Sequence, residues 1–175
     1  MVRIAISGKS GCGNTTVSSK VAQALGFEMI NFTFRNLSEE KEIDFWQFCK
    51  MAEESDEYDR EVDRRQVEMA LARENCVLGS RLAIWMLKEA DLKIYLHATT
   101  EERARRITER EGGSYEKRLE QTKMRDANDS ARYLRLYGIN NSDTSVADLV
   151  IDTTELQSDE VAKIIIEEAR KRETQ

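Results

Sequence analysis

The stretch VRIAISGKSGCGNTTVSSKVAQALG, residues 2–26, decides the fold. Val2, Ile4, Ala5 and Ile6 make a short apolar strand. A glycine loop, Gly8-Lys9-Ser10-Gly11-Cys12-Gly13, follows at once, and a helical pattern then runs from Thr15 to Leu25 and closes on Gly26. Gly8 to Thr15 has the spacing G-x-x-x-x-G-x-T, and the order strand, loop, helix is the context in which such a loop binds phosphate. Glycines let the backbone curl so that several N–H groups converge on anionic oxygens at a helix N-terminus. That geometry suits a nucleoside triphosphate. The candidate binding residues are Gly8, Lys9, Ser10, Gly11, Cys12, Gly13, Asn14, Thr15 and Thr16. Thr15 would offer its hydroxyl to a Mg2+ ion bridging the phosphates, and Thr16 would cap the first turn or reach an inner phosphate.

Outward from this stretch the pattern repeats. A second strand fits Phe27 to Phe32, after which the apolar positions Ile43, Phe45, Trp46, Phe48, Cys49 and Met51 and the charged run to Glu74 read as two helices. Cys76 to Leu78, Leu92 to Leu96 and Asp148 to Asp152 are further strands. Five strands alternating with helices predict an α/β fold with a parallel sheet. Glu101 to Arg110 and Tyr115 to Tyr137 are long charged helices, and a last amphipathic helix from Ser158 carries Val161, Ile164 and Ile165. Between the two long helices, Gly112-Gly113 reads either as a hinge or as a helix end followed by a new N-cap at Ser114.

The chain has 175 residues, 40% of them hydrophobic and 34% charged, enough apolar matter for one packed domain spanning 1–175. A formal net charge of −6 disfavours a dedicated nucleic-acid binder, so any anionic ligand must be met by a local basic site. No apolar run is long enough to span a membrane and no basic leader opens the chain, so a cytoplasmic protein is expected. Cys12, Cys49 and Cys76 are widely spaced and read as reduced thiols rather than a disulfide or zinc set.

One residue breaks the loop pattern: Asn14 stands where a lysine is expected before Thr15. An amide can donate a hydrogen bond but brings no charge to a transferring phosphoryl group. Lys9 is the nearest replacement, since its stem could fold over the loop; the alternative is a solvated surface lysine. Arg103, Arg106 and Arg110 share one helical face, and Arg118, Arg125 and Arg132 recur every seven residues on another, with Asp129 in the same stripe. Such stripes either clamp anions or form solvated faces balanced by neighbouring glutamates.

Taken together, these segments resemble the cytidylate kinases, in particular the short archaeal-type form, from Val2 to about Ile166. The resemblance rests on Gly8 to Thr16, Phe34-Arg35, Asp59 to Gln66, Leu78 to Met86 around Arg81, Ala90 to Leu96, Glu101 to Arg110, Arg125 to Arg132, Tyr137-Gly138-Ile139 and Asp148 to Thr153. It implies a three-layer P-loop NTPase fold with a five-stranded parallel sheet, helices on both faces, acceptor-binding helices at about 35–74 and a helical lid at about 103–135. It implies transfer of the γ-phosphoryl group of ATP, with Mg2+, to CMP or dCMP. By the same resemblance Arg35, Arg81, Arg125 and Arg132 would hold the monophosphate, Asp129 would lie near the sugar and base, and Arg106 and Arg110 would meet the donor phosphates. Asp63, Arg64 and Gln66 would line the acceptor pocket. Lys9, Asn14, Arg106, Arg110 and Arg125 are the candidate catalytic set. The chain also departs from the family pattern at Gly79-Ser80-Arg81, where an acid is expected before Gly-Arg, and at Ile30 to Arg35. Two further readings therefore stay open: a nucleotide-binding sensor with weakened catalysis, and a kinase for another small acceptor.

Overall fold

A computed structural model describes residues 1–173. In chain order its elements are β1 (Arg3–Gly8), α1 (Asn14–Leu25), β2 (Glu28–Ile30), α2 (Phe34–Glu40), α3 (Phe45–Glu54), α4 (Glu57–Leu71), β3 (Cys76–Gly79), α5 (Ala83–Met86), β4 (Leu92–His97), α6 (Thr100–Glu111), α7 (Tyr115–Tyr137), β5 (Leu149–Asp152) and α8 (Ser158–Glu173). The five strands form one parallel sheet in the order β2-β3-β1-β4-β5. β1 lies at the centre because both of its faces are apolar: Ile4, Ala5 and Ile6 are fully buried. Strand alternation sends Ile4 and Ile6 to the side covered by α1 and α8, where they meet Val17, Val21, Val161 and Ile165. Ala5 faces the other side, packed with Ala70, Ile84 and Leu87. A third cluster, Phe32, Leu37, Phe48 and Val62, binds α2, α3 and α4 together away from the sheet.

This topology fixes the site. β1 pairs with β3 through Ile6 and Gly79, and with β4 through Gly8 and Leu96. The carboxyl ends of these three strands therefore open at one level, where the chain leaves in different directions and ligands of open α/β sheets bind.

The expected strands and long helices are all present, with two differences and one open reading decided. β2 is shorter than Phe27 to Phe32 because Thr33, with Asn36, forms a capping box that starts α2, a helix the periodicity does not reveal. Gly112 ends α6 at φ 75°, Arg118 Nε donates to the Gly112 carbonyl at 3.0 Å, and the Ser114 hydroxyl accepts from Lys117 N–H at 3.3 Å. Gly112 is thus a C-cap, and the new N-cap is Ser114. In α8, Val161 and Ile165 are buried but Ile164 is 38% exposed, since it lies about 100° around the helix from Ile165.

Ile165→Ala should therefore lower the unfolding free energy by about 2–5 kcal/mol. Ile164→Ala should stay within about 0.5 kcal/mol. Urea unfolding of the two variants measures both, and equal losses would show that the phase of α8 is misassigned.

Candidate functional site

The β1–α1 loop takes its shape from two left-handed glycines, Gly11 at φ 85° and Gly13 at φ 90°. A Cβ on Gly11 would lie 2.9 Å from both Cβ and the carbonyl of Arg103, so the loop is seated directly on α6. Within it, Cys12 N–H donates to the Lys9 carbonyl at 3.1 Å and Val17 N–H to the Gly13 carbonyl at 3.0 Å. The N–H groups of Asn14, Thr15 and Thr16, in the first turn of α1, have no carbonyl one turn earlier to bond. They point with the helix dipole toward an open cleft of about 990 Å3. Thr15 and Thr16 are exposed on its wall. Cys12 is buried beneath, and desolvation raises its thiol pKa, so a packing role replaces a reactive one.

The Asn14 side chain hydrogen-bonds within the protein. Its amide nitrogen donates to the carbonyls of Ile6 at 3.1 Å and Ser80 at 3.2 Å, and its oxygen accepts from the Ser18 hydroxyl at 2.9 Å. The side chain thereby ties the ends of β1 and β3 to α1. Gly79 belongs to the same arrangement: a Cβ there would lie 2.4 Å from Ser18 Oγ, so no acidic side chain fits while Ser18 packs in this way.

Lys9 lines the cleft with its ammonium 3.8 Å from Asp126 Oδ2. That carboxylate is already engaged by both terminal nitrogens of Arg103. Arg103, 2% exposed, also donates to the carbonyls of Ser10 and Ala98. Although Arg103 shares a helical face with Arg106 and Arg110 in the sequence pattern, it is a buried strut joining α6, α7 and the loop.

The other basic residues divide between cleft and surface. Arg81, Arg106, Arg110, Arg125 and Arg132 all line the cleft with Gln66 and Asp129. Arg125 reaches Ser10 Oγ at 3.3 Å, Arg81 pairs with Asp129 at 2.6 Å, and Arg132 pairs with Asp59 at 3.2 Å and Asp129 at 3.3 Å. Arg110 extends from the end of α6 to Glu111. Arg106 is tied to Glu102 and to the carbonyls of Thr153 and Thr154 after β5. Arg35 and Arg64 lie outside the cleft. Arg35 is exposed and stacks on the Phe45 ring at 4.2 Å, and Arg64 faces solvent beside Glu68.

Two cavities adjoin the main cleft. One, of about 520 Å3, lies on the α6 side of the loop between Gly13, Thr16, Arg105, Arg106 and the segment Thr153–Ser158. Periodicity gives no hint of it, because its floor is a connection; the only sequence signal is the polar run that follows β5. The other is a recess of about 150 Å3 between α4 and α7 that holds Asp59, Asp63 and Tyr133 and shares Gln66, Arg81 and Arg132 with the cleft. Burial raises the pKa of both Asp59 and Asp63, partly offset by Arg132 and, at Asp63, by the Tyr137 hydroxyl. Among the described residues no cluster of three His, Cys, Asp or Glu could hold a metal alone, and no helix is long and apolar enough to cross a membrane. Thr15, exposed at the start of α1, offers a hydroxyl that would suit an ion held mainly by phosphate oxygens and waters.

Comparison with known proteins adds independent findings. The model of the cytidylate kinase-like family matches residues 3–155. A relative named cytidylate kinase 2, from Borreliella afzelii, is 48% identical over 175 residues, covering 98% of each chain. A cytidylate kinase of Pyrococcus horikoshii is 42% identical over 164 residues, covering 93% of this chain and 85% of its own. Among solved structures, shikimate kinase from Bacteroides thetaiotaomicron superimposes with a TM-score of 0.64 at 15% identity, covering 95% of this chain and 96% of its own. Deoxyadenosine kinase from M. mycoides does so with a TM-score of 0.56 at 19% identity, covering 95% and 98%. These two show that the fold is that of P-loop kinases.

Because removing Arg103 leaves Asp126 with only the Lys9 ammonium at 3.8 Å and the Ser10 carbonyl without its guanidinium donor, Arg103→Leu should destabilise the protein by about 3–5 kcal/mol. Arg110→Ala, which removes only an exposed pair, should change stability by less than about 0.5 kcal/mol. Equal urea midpoints for the two variants would contradict the strut.

Proposed function

The chain belongs to the cytidylate kinase-like family, and from that premise we propose that this nucleoside monophosphate kinase transfers the γ-phosphoryl group of ATP to CMP or dCMP. One observation carries the reading: amide groups at the start of α1 and the guanidinium groups of Arg81, Arg106, Arg110, Arg125 and Arg132 converge on a single cleft. In a chain of net charge −6, five arginines gathered on one cavity mark a site for more than one phosphate.

The roles follow from position. The β1–α1 loop holds the donor's outer phosphates by its N–H groups, with Arg110 and Arg125 facing them and Lys9 supplying the charge that Asn14 lacks. Arg106, between the cleft and the 520 Å3 cavity, bridges donor phosphates and a donor nucleoside seated in that cavity. Arg81 and Arg132 hold the acceptor phosphate, and Asp129, which pairs with both, keeps their planar groups aimed at the cleft until the anion replaces it. Thr15 would hold Mg2+ together with phosphate oxygens and waters, and the ion when bound offsets phosphate charge. Transfer joins an acceptor phosphate oxygen to the γ-phosphorus as the bond to the β–γ bridging oxygen breaks, and that electron pair leaves with ADP. The attacking oxygen is already an anion at neutral pH, so no side-chain base is required. The protein contributes orientation and charge stabilisation, and closure of α6 and α7 over the cleft would exclude water. Arg35 and Arg64, outside the cleft, enter no step.

ATP-dependent phosphorylation measured across CMP, dCMP, UMP, AMP and shikimate tests the assignment: turnover of CMP and dCMP is expected. Nucleotide binding without turnover would replace it with the sensor reading, and turnover of shikimate alone with another acceptor. Lys9→Ala should lower kcat by about 10²–10³-fold, the usual effect of removing one preorganised donor. Undiminished turnover in Lys9→Ala would remove that lysine from the mechanism.

A further inference from the structure

Beside Lys9, at the carboxyl ends of β1 and β4, lies a third and far smaller cavity, lined by Arg81, Trp85, Tyr95, Asn141 and two carboxylates of α7, Asp126 and Asp129. About 10 Å3 of it is open to the centre of a water molecule, just enough for one. Its polar groups fall into two sets. Tyr95 and Asn141 are each 6% exposed, yet the Tyr95 hydroxyl and the Asn141 amide nitrogen have no hydrogen-bond partner among the described residues. The other end of the Asn141 amide, Oδ1, is held by the Ser130 hydroxyl at 2.8 Å. Burial pushes the Tyr95 pKa up to about 12, so its hydroxyl keeps its proton at neutral pH. The second set is the carboxylates, which stand three residues apart on one face of α7. Asp126 accepts from Arg103, and Asp129 from Arg81 and Arg132, but a carboxylate has about four acceptor positions and each keeps room for a further donor. Lys9 and these three arginines already outweigh the charge of two carboxylates, so a neutral ligand suits the cavity better than another cation.

We propose that this cavity seats one ordered water molecule and that Tyr95, through it, is a positioning residue for phosphoryl transfer, the second half resting on the kinase reading above. The water oxygen accepts from the Tyr95 hydroxyl and the Asn141 amide, and the two water hydrogens go to Asp126 and Asp129. All four hydrogen bonds of the water are then made. The bridge joins the two sides of the cleft. Asp126 holds Arg103, the strut of the β1–α1 loop, and faces Lys9, while Asp129 holds Arg81 and Arg132. Without a shared donor, like charges one turn apart on a helix repel, and the cations paired with them move as well. The water therefore sets the spacing between the charges that face donor and acceptor phosphates, a spacing on which in-line transfer depends steeply. Neither nucleotide touches it, so its loss lowers the rate of transfer and leaves the affinity for each ligand in place.

The test is Tyr95→Phe, which deletes the hydroxyl and keeps the ring packed edge-on against Trp85 at 6.0 Å. High-resolution crystal structures of the full-length protein and the variant, with steady-state kinetics of CMP phosphorylation, give the two readouts. The wild-type cavity should show one peak of water density within hydrogen-bond reach of the Tyr95 hydroxyl and both carboxylates, and the variant should lack it. In the variant kcat should fall by about 10- to 100-fold while KM for ATP and for CMP stays within about twofold. No peak in the wild-type cavity, an ion in its place, an unchanged kcat, or a rise in KM alone would overturn the proposal. If Tyr95→Phe does not fold, Asn141→Asp takes its place: it keeps the bond from Ser130, turns the other end of the side chain into an acceptor, and should lose both the water and the rate. The crystallographic readout needs no turnover. A water in place in a protein that phosphorylates no nucleotide would remove the kinase reading, and with it the role of Tyr95, while the water site stands; CMP phosphorylation by a protein whose cavity holds no water would remove only this proposal.

Discussion

Arg103 is the contact on which the site depends. Its guanidinium, enclosed between α6 and α7, pairs with Asp126 and reaches the Ser10 carbonyl, and Gly11 lies against its backbone. A glycine-rich loop left alone would sample many conformations, and an anion would have to order it on binding. Fastened to α6, the loop presents its N–H groups already converged. The same contact couples the loop to α6 and α7, the two helices that carry Arg106, Arg110, Arg125 and Arg132 of the cleft.

Asn14 and Gly79, far apart in the sequence, meet at Ser18, where a Cβ on Gly79 would lie 3.2 Å from Asn14 Oδ1. The Asn14 amide adds a second donor to the carbonyls of Ile6 and Ser80, which also accept from Ser80 N–H at 3.1 Å and Ala83 N–H at 3.5 Å. A cation and a carboxylate, Lys9 and Asp126, lie at the other end of the loop.

Four of the cleft's arginines, Arg81, Arg106, Arg110 and Arg132, are paired with carboxylates, while Arg125 meets the Ser10 hydroxyl. Asp129 engages Arg81 and Arg132, and Asp59 also engages Arg132. Without such partners several like charges would repel across a confined cavity. With them the guanidinium planes hold a fixed orientation.

The sequence by itself determined the sheet and the loop. Apolar alternation, the spacing Gly8 to Thr15 and the glycines after Leu25, Glu111 and Tyr137 are local signals, each set by backbone geometry within a few residues. Regular spacing also identified which arginines lie on α6 and α7. It could not separate Arg103 from Arg106, because periodicity assigns a face but not what covers it, nor could it show that Arg35 and Arg64 stand outside the cleft while Arg81 lines it. α2 was hidden because seven residues carry too little periodicity beside a capping box. Asn14, the recess of Asp59 and Asp63, and the cavity beside Thr153 were decided only by tertiary structure, since each joins atoms dozens of residues apart and depends on which partner arrives first within hydrogen-bond reach.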